Sequence, residues 1–134
     1  VTGGYVNLAG DMSFVGPKPF GDPWLIGIQD PRARDRIVAT IPMTHGGIAT
    51  SGDYERYIEF EGNRYCHLLD PCTGMPVTYW RSVSVTAPAA VLAGSSSTIA
   101  MLKQTNGLAF LESCGFDFLA IDSTGATHTR VVKD

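Results

Sequence analysis

Charge is sparse in this sequence, and positive charge is the scarcer kind. Asp, Glu, Lys and Arg make up 17% of 134 residues, and 10 Lys+Arg against 13 Asp+Glu leave a formal net charge of −3. A chain with that balance has no general electrostatic hold on nucleic acid or anionic lipid, so no nucleic acid is expected as a partner. Long hydrophobic runs are missing too, and none approaches the ~20 residues of a membrane-spanning helix. The N-terminus has no basic stretch followed by an apolar one, as a secretory signal would. Val1 is not an initiator residue, which reads as a chain processed or cut upstream. Cysteine is too rare for a disulfide framework: Cys66, Cys72 and Cys114 are an odd number with no CxxC pair. The stretch Cys66-His67-Leu68-Leu69-Asp70-Pro71-Cys72 admits either a metal reading or one of two ordinary thiols in a strand and turn.

What the chain has in quantity is apolar residues (44%) together with 15 Gly and 8 Pro, the makings of a sizeable core joined by many turns. Tyr5 to Val15 reads as one strand, bulged at Ala9-Gly10-Asp11, and the Pro-rich Gly16 to Pro23 as a loop. Trp24 to Ile28 and Ile37 to Met43 are strands, with a charged surface turn at Arg32 to Arg36 and a break at Gly46-Gly47. Asp53 to Phe60 alternates as a strand does, Glu61-Gly62-Asn63 is a hairpin turn, and Arg64 to Leu69 returns. After a turn cluster at Pro71 to Pro76, Ser82 to Ala87 is an alternating, β-branched strand.

Ala89 to Gln104 is the one long helical stretch, with Val91, Leu92, Ser95, Thr98, Ile99 and Leu102 on its expected buried face and Asn106-Gly107 as its end. Leu108 to Ser113 forms a second, short helix, followed by strands at Phe116 to Asp122 and Ala126 to Val132. Strands in adjacent pairs with helices gathered late predict an α+β fold, mostly antiparallel, in a single segment spanning residues 1–134.

Four segments carry possible chemistry. At Thr50-Ser51-Gly52 a hydroxyl and a glycine let backbone N–H groups approach a phosphate or ring edge, unless this is an ordinary turn. His67, three residues before Asp70, is a candidate acid or base, or else a half-buried imidazole donating to a backbone carbonyl. Asn7 to Asp11 sets an amide and a carboxylate around a bend, which an Asx-type turn also explains. Gly94 and the serines 95–97 inside a helix cost stability relative to Ala, so either tight packing or a ligand-facing surface is expected there.

Taken in order, N-x-x-G-D, W-x-I-G-I-x-D-P, A-T-S-G-x-Y-E-R-Y, H-x-x-D-P-x-T-G-x-P and S-V-x-V before a helix with A-x-x-x-x-T resemble the ApbE family of FAD-dependent protein FMN transferases, once described as thiamine-biosynthesis lipoproteins. The match runs from Asn7 to Thr98 and looks like the C-terminal part of such a protein, without the family's long N-terminal region. The resemblance implies magnesium-dependent transfer of FMN from FAD to a threonine of an acceptor protein, in the periplasm or on the outer face of the cytoplasmic membrane. It implies His67 as the catalytic base or charge partner, also touching the cofactor, with Asp11, Ser51, Gly52 and Asp70 lining the flavin nucleotide.

In the family's A-D-x-x-x-T segment the Asp and Thr bind the metal; here Thr98 is kept but Gly94 stands where the Asp belongs, and Ala9 where a Gly is usual. The alternative implied by Gly94 is a non-catalytic flavin-binding or scaffolding relative. An open sheet edge further predicts self-association. Asp122 to Thr127 resembles the acceptor motif, with Thr127 in the acceptor place, or is a plain hairpin turn.

Overall fold

The computed structural model describes residues 2–131. Ten strands and two helices follow in the order β1 (Gly4–Leu8), β2 (Asp11–Gly16), β3 (Trp24–Asp30), β4 (Ala33–Met43), β5 (His45–Gly52), β6 (Tyr57–Phe60), β7 (Asn63–Cys66), β8 (Trp80–Ala87), α1 (Ala90–Leu102), α2 (Gly107–Cys114), β9 (Asp117–Asp122) and β10 (Thr127–Arg130). Six of the strands form one sheet in the order β1-β2-β5-β8-β9-β10, and every neighbouring pair is antiparallel. The α+β expectation, with one longer and one short helix, is met.

Alternation along the strands sorts the sheet's side chains onto two faces. On one, Ala49, Val83, Val85, Ala87, Phe118 and Ala120 pack with Ala93, Ala100 and Met101 of α1 and Leu111 of α2. On the other, Met12, Phe14 and Ile48 meet Ile28 and Met43 of the β3–β4 ribbon. α1 lies unusually close to the sheet. A Cβ at Gly47 would come within 2.3 Å of the Ala90 nitrogen, so only a glycine lets the helix start directly over β5.

Several local expectations are corrected. Tyr5 to Val15 is not one bulged strand but a hairpin, because Ala9 (φ 53) and Gly10 (φ 106) both turn left-handed and reverse the chain. The turn at Arg32 is short, and β4 already begins at Ala33. Gly46-Gly47 does not break the chain; both lie inside β5, paired with β2 and β8. Alternation from Asp53 is strand only from Tyr57, since residues 53–56 form a bend that buries Tyr54 against Gly52.

Gly107 does not end α1. It opens α2, where a Cβ would meet the Ala100 carbonyl at 2.4 Å and Trp80 Nε1 at 2.7 Å. The buried face of α1 is also different: Ala93, Ser96, Ser97, Ala100 and Met101 are inside. Val91, at 72% exposure, with Leu92 and Ile99, is not. Where the helix is seated nearest the sheet, at Ala93, Ser96, Ser97 and Ala100, there is room beneath it only for small side chains, and Met101 is buried at its far end. The strand expected over Ala126 to Val132 is β10; Val132 lies outside the described residues, as does Val1. No helix among the described residues is long and apolar enough to cross a membrane.

Candidate functional site

Where α1 begins over β5, a cleft of about 990 Å3 opens between the β1–β2 hairpin, the end of β5, the 55–56 bend and the outer side of α1. Its walls include Asp11 from the start of β2, Thr50, Ser51 and Gly52 from β5, and Gly94, Ser95 and Thr98 from α1. Glu55, Arg56 and His67 close the far side. The period of two places Ser51 on the helix side of β5, as it does Ala49. The spacing of four residues stacks Gly94 and Thr98 along one side of α1.

Three hydroxyls meet between β5 and α1, two of them, Ser51 and Thr98, lining the cleft and the third, Ser97, buried behind them. Ser51 Oγ lies 2.8 Å from Ser97 Oγ and 3.0 Å from Thr98 Oγ1, and Ser97 Oγ donates to the Gly94 carbonyl at 3.0 Å. Each hydroxyl has one proton. Ser97 spends its proton on Gly94, so Ser51 donates to Ser97 and Thr98 donates to Ser51. In this arrangement the three hydroxyls satisfy one another and the Gly94 carbonyl.

His67 follows β7 directly. Its Nδ1 lies 3.1 Å from the Arg56 carbonyl, which also accepts the His67 backbone N–H at 3.0 Å. A carbonyl can only accept, so Nδ1 carries a proton and Nε2 is the nitrogen left for a ligand or a proton transfer. The backbone-carbonyl partner expected of His67 is present, but the residue is exposed rather than half-buried, and it lines the cleft.

The bend that carries Glu55 and Arg56 is pinned from outside. Arg32 grips Asp53 through two parallel bonds of 2.7 and 2.6 Å, and this carboxylate raises the guanidinium's pKa further. Asp30 is held below the usual carboxylate range by the Arg32 backbone N–H first and the Arg36 side chain second. Tyr54, tucked beneath Gly52, is pushed up to about 12, mainly by burial and then by the charges of Glu55, Asp53 and Asp30. Gly52 is obligatory here, because a Cβ would fall 2.4 Å from the Tyr54 ring.

The cleft thus brings together Asp11, Ser51, Gly52, His67 and Thr98. It does not include Asp70. That carboxylate accepts the Cys72 backbone N–H at 2.8 Å and the Gln104 side-chain amide at 3.4 Å, so the proline-flanked loop uses it for its own shape. Thr127 opens β10, the edge strand at the opposite end of the sheet from the β1–β2 side of the cleft. Cys66 is buried, with carbonyls of Leu68 and Val77 as neighbours, and Cys72 is exposed. Glu55 and Arg56 also line the cleft, and both lie in the A-T-S-G-x-Y-E-R-Y run, whose spacing alone does not mark them as site residues.

Among the described residues no group of three or more His, Cys, Asp or Glu side chains is placed to hold a metal ion. α1 offers the neutral Thr98 hydroxyl and, at Gly94, no carboxylate. Magnesium prefers hard, charged oxygens, and the residues present do not fit it.

A helix laid over an antiparallel sheet, with an imidazole and a hydroxyl cluster at the cleft they share, is an α+β architecture with a candidate ligand cleft. The chain belongs to the ApbE family, whose model matches residues 1–120. It is 39% identical over 102 residues to the FAD:protein FMN transferase of Salmonella typhimurium, covering 75% of this chain and 29% of that one. The crystal structure of an ApbE protein from Thermotoga maritima superposes with a TM-score of 0.86 at 36% identity, over 95% of this chain and 42% of that one. The Pseudomonas stutzeri flavinyl transferase ApbE, in its apo form, gives 0.74 at 33% identity, over 96% and 41%. The chain therefore spans about three to four tenths of the length of these relatives.

Proposed function

We propose that this chain forms the FAD-gripping and proton-accepting part of an FAD:protein FMN transferase, acting on a threonine hydroxyl of an acceptor protein. The observation that carries the reading is the placement of His67, with Nε2 free, in one cleft with Ser51, Gly52 and Thr98. In that reaction the threonine oxygen bonds to the phosphorus of the FMN half of FAD. The bond from that phosphorus to the bridging oxygen breaks, AMP leaves, and the hydroxyl proton passes to His67 Nε2. The relatives' names support the substrate. The Arg56 carbonyl, which holds the ring in one tautomer, supports the role of the imidazole.

The test is incubation of the full chain with FAD and a threonine-bearing acceptor, read by mass spectrometry for the FMN adduct and by chromatography for AMP. His67→Gln is expected to retain FAD while losing both products. A variant that transfers FMN at the parent's rate would remove His67 from the chemistry. Gly94 favours a second reading, FAD binding without transfer. FAD bound by the parent with neither AMP nor adduct formed would select it. Self-association through the open β1 edge, where Val6 and Leu8 are exposed, belongs to the same proposal. A monomer in sedimentation at all concentrations would dismiss it.

A further inference from the structure

The cleft's fixed charges are few. Asp11, Glu55 and Arg56 line it, together with His67, whose Nδ1 is bonded to the Arg56 carbonyl. The hydroxyls of Ser51, Ser97 and Thr98 already bond to one another, and no carboxylate on α1 stands ready to bring in a divalent cation. A pyrophosphate carries two negative charges and needs a partner in such a place, because an anion taken partly out of water without one is costly. Arg56 is the fixed cation on these walls.

Most of the other arginines are engaged elsewhere; Arg34, whose guanidinium is also unpaired among the described residues, does not line the cleft. Arg32 is tied to Asp53, Arg36 to Asp30, Arg64 to Glu59, Arg81 to the Ser123 carbonyl and Arg130 to the Glu112 carbonyl. The Arg56 guanidinium has no hydrogen bond or ion pair among the described residues, and the residue is exposed at the cleft mouth. Its backbone is fixed: the carbonyl accepts both the backbone N–H and Nδ1–H of His67. One residue thus anchors the imidazole through its main chain and leaves a planar five-donor fork beside it, the geometry that suits phosphate oxygens.

We propose that Arg56 binds the pyrophosphate of the dinucleotide, taking the charge-neutralising place that a divalent cation would otherwise fill. The proposal rests on the FAD reading above. In this arrangement the phosphates are drawn to the side of the cleft where His67 Nε2 waits, and magnesium adds nothing to affinity.

The experiment is calorimetric titration of the full chain with FAD and with riboflavin, which lacks phosphate, in buffer containing EDTA and in buffer containing magnesium chloride. Equal FAD affinity in the two buffers is expected. Arg56→Gln is expected to weaken FAD at least tenfold while leaving riboflavin unchanged, and Arg56→Lys to recover part of the loss. If Arg56→Gln binds FAD as the parent does, or if the parent binds FAD only with magnesium, the inference is overturned and the FAD reading stands. Equal loss of FAD and riboflavin in Arg56→Gln would make the residue structural and also overturn it. If the parent binds FAD in neither buffer, the reading beneath the inference fails instead.

Discussion

Replacing Gly94 by aspartate tests the local geometry of the cleft more sharply than any deletion does. A Cβ at this position would lie 3.4 Å from Asp11 Oδ2 and 3.8 Å from the Ala49 Cβ. Those are tight but tolerable contacts with side chains, so the helix accepts the substitution. Removing a glycine from the helix interior gains about 0.3 kcal/mol, the difference between the propensities of Gly and Asp. Against this, a second carboxylate would stand roughly 5 Å from the first. Their repulsion is about 0.8 kcal/mol at the dielectric constant of water and about 3 kcal/mol at an effective value of 20. Asp11 is exposed, so the lower part of that range applies. Gly94→Asp without metal is therefore destabilised by about 1 kcal/mol, or ~3–5 °C in melting temperature for a domain of this size.

With magnesium the balance reverses. Two carboxylates and the Thr98 hydroxyl would now face one point, and a cation held at a hundred times its Kd stabilises the fold by about 2.7 kcal/mol. The assay is thermal unfolding in EDTA and in magnesium chloride at matched ionic strength, for the parent and for Gly94→Asp. The parent is expected to melt at one temperature in both buffers, and the variant to rise by ~8–13 °C with magnesium. Asp11→Asn combined with Gly94→Asp should erase both the metal-free loss and the metal response. A folded Gly94→Asp chain whose melting ignores magnesium would refute the placement of Asp11 opposite residue 94.

Other outcomes follow from single contacts. Ala9 holds a left-handed φ of 53°, which costs a non-glycine residue ~1–2 kcal/mol, so Ala9→Gly should raise stability by about 0.5–1 kcal/mol in urea unfolding after glycine's own entropy cost. An unchanged midpoint would contradict the turn geometry. Gly47→Ala sets a methyl 2.3 Å from the Ala90 nitrogen and 2.4 Å from its Cα, backbone that cannot yield as a side chain would. A loss of ~2 kcal/mol or more is expected in the same assay, and a neutral result would mean that α1 does not start over β5. Tyr54 keeps its proton in the folded chain to about pH 12, whereas the unfolded chain releases it near the ordinary tyrosine value. Stability from this group is thus complete below pH ~10 and is lost as pH rises from there toward 12. Tyr54→Phe should flatten that alkaline fall, and an equally steep fall in the variant would deny the burial of the phenol.

The sheet was legible because its strands obey a local rule. Ser82 to Ala87 alternates, and so does the β6–β7 hairpin around Glu61-Gly62-Asn63, with no need of information from elsewhere in the chain. The motif order likewise named Asp11, Ser51, Gly52, His67 and Thr98, which converge on one cleft. Other features depend on contacts that sequence spacing does not encode. Asp70 stands three residues from His67, yet its carboxylate is turned to Cys72 and Gln104. The meeting of Thr98, Ser51 and Ser97 depends on how closely α1 is seated over β5.

α1 shows why that failure is informative. By size and spacing Val91, Leu92 and Ile99 belong in the core, yet Ala93, Ser97 and Ala100 occupy it, and the large side chains stay exposed at or beside the cleft. A helix whose only task was to cover the sheet would turn its larger apolar side inward and gain ~1.5–3 kcal/mol for each such residue fully buried. This one keeps small residues beneath it, lies close over Gly47, and sets Ser97 and Thr98 against Ser51. The stability forgone on its outer side is what leaves Val91 and Ile99 as walls of the cleft. The point at which the hydrophobic pattern stops predicting burial is thus also where the polar groups gather, as expected of a surface kept open for a ligand.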